Sequence, residues 1–129
     1  SVNNTIDKFS FSSDGNSTDV ADLLAAINGT AGTCSSSHGY TSGGYTSTYV
    51  DTIQKFTFAS DSNSTDVGDI TVARGYVCGV SSTTHGYTIA GWTGSYHNVI
   101  DKHAFASDGN ATDVGDAVTA RFNSAGVED

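Results

Sequence analysis

From Thr5 to Phe11 the chain alternates, with Thr5, Asp7, Phe9 and Phe11 on one side and Ile6, Lys8 and Ser10 on the other. That period of two is the pattern of a half-buried strand, and it predicts β structure over 5–11. Asp14–Asp19, rich in Asp, Gly, Asn and Ser, reads as a loop. Further along come an apolar-leaning stretch at Ile70–Val77, a Ser/Thr run at Ser81–Thr84 and a Gly-Tyr-x-x-Gly-Gly strand and turn. DVADLLAAIN, from Asp19 to Asn28, has the composition for a helix over Asp19–Ile27. Its counterpart DVGDITVARG is β-branched and contains Gly68, so both segments are read as strand. With no proline and 15 glycines, the turns must take their backbone angles from Gly, Asn and Asp.

The pattern repeats. Ile6-Asp7-Lys8-Phe9-Ser10-Phe11 returns as Ile53-Gln54-Lys55-Phe56-Thr57-Phe58 and as Ile100-Asp101-Lys102-His103-Ala104-Phe105, each time after 47 residues. Ile6–Val20 is identical to each later copy at 11 of 15 positions. His38-Gly39-Tyr40-Thr41 recurs as His85-Gly86-Tyr87-Thr88 at the same step. The third copy reaches Asp129, the counterpart of Ser82, before its own His-Gly-Tyr block. The chain thus reads as one repeat domain, 1–129, with units 1–47, 48–94 and an incomplete 95–129.

Short strands with paired glycines in about 47 residues match a blade of a β-propeller. The order of features resembles the kelch repeat. His85-Gly86-Tyr87-Thr88 before Gly91 resembles the strand ending in the kelch double glycine, which Gly43-Gly44 keeps intact. Ile100-Asp101-Lys102 sits where the kelch hydrophobic-acidic strand falls, and Val72-Ala73-Arg74 and Thr119-Ala120-Arg121 resemble its small-residue-plus-Arg step. The lone Trp92 comes after the glycines, and Ala90 replaces the first glycine of the second pair. The wording DKFxFASDxNATDVGD…SSTTHGYTSGG also resembles tandem repeats in structural proteins of bacteriophages and in environmental viral sequences.

The resemblance implies an all-β fold of kelch-like propeller blades, about 2.7 units. Propellers close with four or more blades. The chain is then an excerpt of a longer propeller, or copies close a ring together, or they stack into an open filament. A three-repeat β-trefoil or β-prism is the alternative closure. Methionine is absent altogether, which points to a processed chain or a segment of a longer one.

Charge narrows the partners. Fourteen acidic residues against five basic ones give a net charge of −9, a surface that repels phosphate and argues against nucleic acid and anionic membrane. No apolar run approaches the roughly 18–20 residues of a membrane span.

Nine of the thirteen aspartates fall at one register, D-x-N-x-T-D-x-x-D. The first loop offers Asp14, Asn16, Thr18 and Asp22, the second Asp61, Asn63, Thr65 and Asp69, the third Asp108, Asn110, Thr112 and Asp116. Alternating oxygens suit Ca²⁺, and the pattern resembles the calcium loops of integrin-type propellers, with Thr at position 5 and Asp at position 6 as departures. Turn capping by the same side chains is the competing reading. Asn16, Asn63 and Asn110, with Asn3 and Asn28, are also N-x-[ST] glycosylation sequons. Ser/Thr-rich loops also generate such triplets by chance.

His38 and His85 are counterparts without zinc-ligand spacing, and His103 stands where Phe9 and Phe56 stand, a packing position. No G-x-S-x-G elbow occurs. Cys34 and Cys78 are not repeat counterparts; a disulfide and two free thiols are both open. Tyr40, Tyr87 and Trp92 form either a ligand-stacking face for sugars or ordinary cross-strand packing.

These features together predict a non-enzymatic structural repeat protein, a building block of a phage particle or an extracellular fibre that self-associates through its β repeats. The alternative is a carbohydrate- or receptor-binding adhesin with a lectin-like propeller. Either places it outside the cell or in a virion.

Overall fold

A computed structural model describes residues 2–127. Ten strands form three antiparallel sheets, none of them closed. β1 (Thr5–Lys8) pairs with β2 (Thr18–Asp22). β3 (Ala31–Cys34), β4 (His38–Tyr45), β5 (Tyr49–Thr57) and β6 (Thr65–Asp69) follow as a four-stranded meander in chain order. β7 (Cys78–Ser81), β8 (His85–Trp92), β9 (Tyr96–Ala104) and β10 (Thr112–Arg121) repeat it. Each strand of the second meander starts 47 residues after its counterpart, and β2 stands in the same relation to β6. The fold is all-β, as the alternation of the sequence predicts.

The turns explain how a chain without proline folds so regularly. At the β3–β4 turn the Ser35 hydroxyl accepts the His38 N–H at 3.0 Å, and the Ser82 hydroxyl accepts the His85 N–H at 3.0 Å in the copy. Serine therefore caps these turns alongside glycine. The Gly43-Gly44 pair makes a bulge, with Gly43 at φ 63° and the β4–β5 register slipping between Ser42 and Gly44. Ala90 adopts the same left-handed angle, φ 61°, at the second bulge.

Two sequence expectations change. The strand expected over 5–11 stops at Lys8; Ser12 N–H turns back to the Ser10 hydroxyl at 3.1 Å, and Phe9 and Phe11 meet edge-on outside the sheet. The segment Asp19–Ile27 and its counterpart from Asp66 to Gly75, both read as strand, carry strand only to Asp22 and to Asp69. Beyond these points the backbone leaves the sheet edge and crosses to the next sheet, where its side chains are needed. Ala117–Arg121, the counterpart of Ile70–Arg74, meets no further sheet among the described residues; it continues β10, bulging after Asp116 and pairing with β9 again at Arg121, opposite His97.

The core lies between the two meanders. Tyr40, Ile53 and Ile70 of the first meet Ala111 at the start of β10, flanked by Val67 and Phe105. Tyr40 stacks on Phe105 at 5.0 Å between ring centroids and sits 5.2 Å from His103. The first strands of the meanders also abut: a Cβ on Gly79 would collide with the Gly32 carbonyl oxygen. A Cβ on Gly32 itself would point into open space. Gly79→Ala should therefore cost about 2 kcal/mol through overpacking, while Gly32→Ala stays within about 0.5 kcal/mol, as read by thermal melts.

Candidate functional site

The junction between successive sheets concentrates the chain's polar chemistry, and it is built twice from the same repeat positions. At the first junction Lys8 Nζ pairs with Asp61 at 2.6 Å, and at the second Lys55 pairs with Asp108. The Asn63 side-chain carbonyl accepts the Asp22 N–H at 3.0 Å; Asn110 accepts the Asp69 N–H at 3.1 Å. Backbone bonds run back across the same gap, from Ser64 N–H to the Asp22 carbonyl at 2.9 Å and from Ala111 N–H to the Asp69 carbonyl at 2.8 Å. Ion pairs this exposed contribute little individually, so their role is register more than stability.

Beneath this rim the two junctions differ in one matched pair. The Gln54 side-chain carbonyl accepts the Leu24 N–H at 2.8 Å, and Ile27 packs beside Gly44. At the second junction the counterparts are Asp101 and Arg74, both fully buried. Asp101 accepts the Thr71 N–H at 3.0 Å, the Thr71 hydroxyl at 2.7 Å and Arg74 Nη1 at 2.9 Å. Arg74 also donates to the carbonyls of Ala90 (2.6 Å), Val72 (3.1 Å) and Thr88 (3.2 Å). A buried ion pair survives only when satisfied this fully, because removing one partner strands the other charge. The sequence marks Arg74 only as a repeat step. The recurring offsets, 53 residues from Lys to Asp and 41 from Asp to Asn, are the signal that finds the junction.

The second and third acidic loops therefore serve the junctions. Asp61, Asp108, Asn63 and Asn110 use oxygen atoms there, and Thr18 and Thr65 donate to the Lys8 and Lys55 carbonyls within their own sheets. Asp113 caps the Gly115 N–H at 3.0 Å, as Asp66 caps Gly68. Burial, then Asp51 and Asp66, raises the carboxyl pKa of Asp69. Asp14, Asn16 and Asp116 are exposed, as is Thr112. Among the described residues no group of three His, Cys, Asp or Glu side chains is placed to hold a metal ion. Of the sequon asparagines, Asn3, Asn16, Asn63 and Asn110 are exposed, whereas Asn28 is half-buried and its backbone bridges Tyr45.

The aromatic candidates do not share a face. Tyr40 is buried in the core, where it stacks on Phe105 and lies beside His103. Tyr87 is half-buried on β8. Trp92 joins Tyr96 (4.8 Å) and Phe122 (5.9 Å) in a cluster at the far end of β8 and β9. Cys34 and Cys78 are free thiols, the first exposed and the second buried, where burial raises its pKa. A cavity of about 350 Å³ at the first junction is lined by Ile6, Val20, Phe56 and Phe58. Their counterparts one unit on are Ile53, Val67, His103 and Phe105, the residues around Tyr40.

The chain matches no known family model, and no curated protein matches it.

Two measurements probe the second junction. Arg74→Ile should cost about 3–5 kcal/mol by leaving Asp101 buried and unpaired. Adding Asp101→Gln, which installs the pair used at the first junction, should recover most of that loss in a denaturant titration. The second concerns His103, whose ring nitrogens have no partner among the described residues and whose pKa burial, helped by His85, lowers from 6.5 to about 4. The unfolded chain then takes the proton first as pH falls, so this contribution is complete above about pH 6.5 and declines towards pH 4. His103→Phe, the residue at both counterpart positions, should melt with a shallower decline from pH 7 to pH 5 than the unsubstituted chain.

Proposed function

We propose that this protein is a non-enzymatic structural repeat protein, a building block of a phage particle or an extracellular fibre, and that its units add to one another through the sheet-to-sheet junction. The observation that carries the reading is the recurrence of that junction at one register. The same lysine, aspartate and asparagine positions join the first sheet to the second and the second to the third. A surface able to join identical units twice within a chain is suited to joining many. The four-stranded meanders and the kelch-like order of features favour propeller-type blades as the unit. The Ser-capped turns and the lack of proline and methionine suit an exposed, durable assembly outside the cell or in a virion.

The exposed edge of the Trp92 cluster favours a second reading, an adhesin that stacks surface sugars; Tyr96 is 56% exposed and Phe122 41%. Sedimentation of the purified chain across a concentration series separates the two. A structural component should exceed 13.2 kDa and grow with concentration. A constant monomer that selects ligands on a glycan array, with loss of binding in Trp92→Ala, would overturn the structural reading in favour of the adhesin.

A further inference from the structure

Each half of the junction also stands unmatched at one end of the described chain. Ser64 and Ala111 are buried, 4% and 7% exposed, because a preceding sheet covers them; Ser17, at the same repeat position, is exposed. Phe105 packs on Tyr40, yet Phe11 is 97% exposed and Phe9 59%. Asp14 and Asn16, the counterparts of Asp61 and Asn63, have neither an ion pair nor a side-chain hydrogen bond among the described residues. At the other end Lys102, the counterpart of Lys8 and Lys55, makes no ion pair among the described residues. Val118 is fully exposed, and among the described residues the Arg121 side chain donates only to the nearby Thr119 carbonyl.

The buried pair beneath the rim says what fits these ends. The offset from Arg74 to Asp101 is 27 residues, and one unit earlier the same two repeat positions hold Ile27 and Gln54. Each junction is matched, either neutral on both sides or charged on both. Carried one unit further, the offset leads from Arg121 to the repeat position held by Asp7 in the first unit. The trailing end thus offers an arginine, and the leading end offers the aspartate. The rim agrees: Lys102 corresponds to the lysines and Asp14 to the aspartates that pair at both internal junctions.

We propose that a second copy of this chain docks head to tail on the first. Arg121 of one copy takes Asp7 of the next, Lys102 takes Asp14, and Phe9 and Phe11 close over Tyr87 as His103 and Phe105 close over Tyr40. Ala117–Arg121 leaves the edge of β9 on docking and follows the path that Ile70–Arg74 takes to reach Asp101. The contact is heterologous, each copy using a different face, so addition continues and yields a filament unless the rotation closes a ring. This inference rests on the structural reading above and names its partner and register.

Charge reversal tests it. Asp7 and Arg121 are both exposed, so Asp7→Arg and Arg121→Asp should each fold with an unchanged melting temperature. In sedimentation velocity each variant alone should associate at least about tenfold more weakly than the unsubstituted chain, since like charges then face each other. An equimolar mixture of the two variants should recover association, because the carboxylate introduced in one variant meets the guanidinium introduced in the other. Variants that associate like the parent, or a mixture that does not recover, would overturn head-to-tail docking while leaving the structural reading intact. A parent chain that stays at 13.2 kDa at every concentration overturns both. Should a reversal disturb folding, Asp116→Cys with Ser17→Cys decides, in a Cys34→Ser, Cys78→Ala background taken from the counterpart residues Ser81 and Ala31. The same repeat positions are joined by backbone hydrogen bonds at both internal junctions, Ser64 to Asp22 and Ala111 to Asp69. Oxidation should give a ladder of disulfide-linked multimers, and monomers alone would refute the register.

Discussion

A four-stranded antiparallel meander has two faces and too few residues to bury either by itself. This constraint governs the rest of the molecule. The core residues Tyr40, Ile53 and Ile70 lie on one meander but become buried only against Ala111 and Phe105 of the next. Hydrophobic burial is a property of the junction between sheets, and the sheets owe their stability to stacking.

Apolar contact alone would let the sheets slide, because a small greasy face has many nearly equivalent placements. Polar groups with narrow geometric demands remove that freedom. Asn63 and Asn110 each clamp one backbone N–H, and the lysine–aspartate pairs mark the rim. Asp101 and Arg74 tie the crossing segment Thr71–Arg74 to the sheet it reaches. Their burial makes any other register costly, since a displaced arginine would leave a charge without a partner. The crossing segment shows the dependence directly. Where a further sheet is described it leaves its strand, and where none is, Ala117–Ala120 bulge out of the ladder and Arg121 rejoins β9 opposite His97.

Different parts of this were legible at different depths. The strands follow from alternation and from the Gly and Ser turns, which are local signals. The 47-residue step was legible from identities such as His38-Gly39-Tyr40 against His85-Gly86-Tyr87, and the structure places strands at that same step. The crossing segments were not: Ile70–Val77 is apolar enough for a strand, and only the demand of Asp101 for Thr71 and Arg74 takes it out of the sheet. Asn63 and Asp61 were visible as a cluster of oxygen-bearing residues, yet sequence proximity within a loop does not reveal that their partners lie 41 and 53 residues away.

By itself, then, the sequence determined the all-β class, the repeat length, the turn chemistry and the acidic character of the surface, because each depends on neighbours in the chain or on totals. Tertiary structure alone decided that Tyr40 fills a core while Phe11, at the aromatic end of its motif, meets water. It decided too that Arg74 is buried and Arg121 is not, although the two arginines occupy the same repeat position. What separates them is whether another sheet lies alongside, and that is settled by the packing of distant segments and is invisible in the residues themselves.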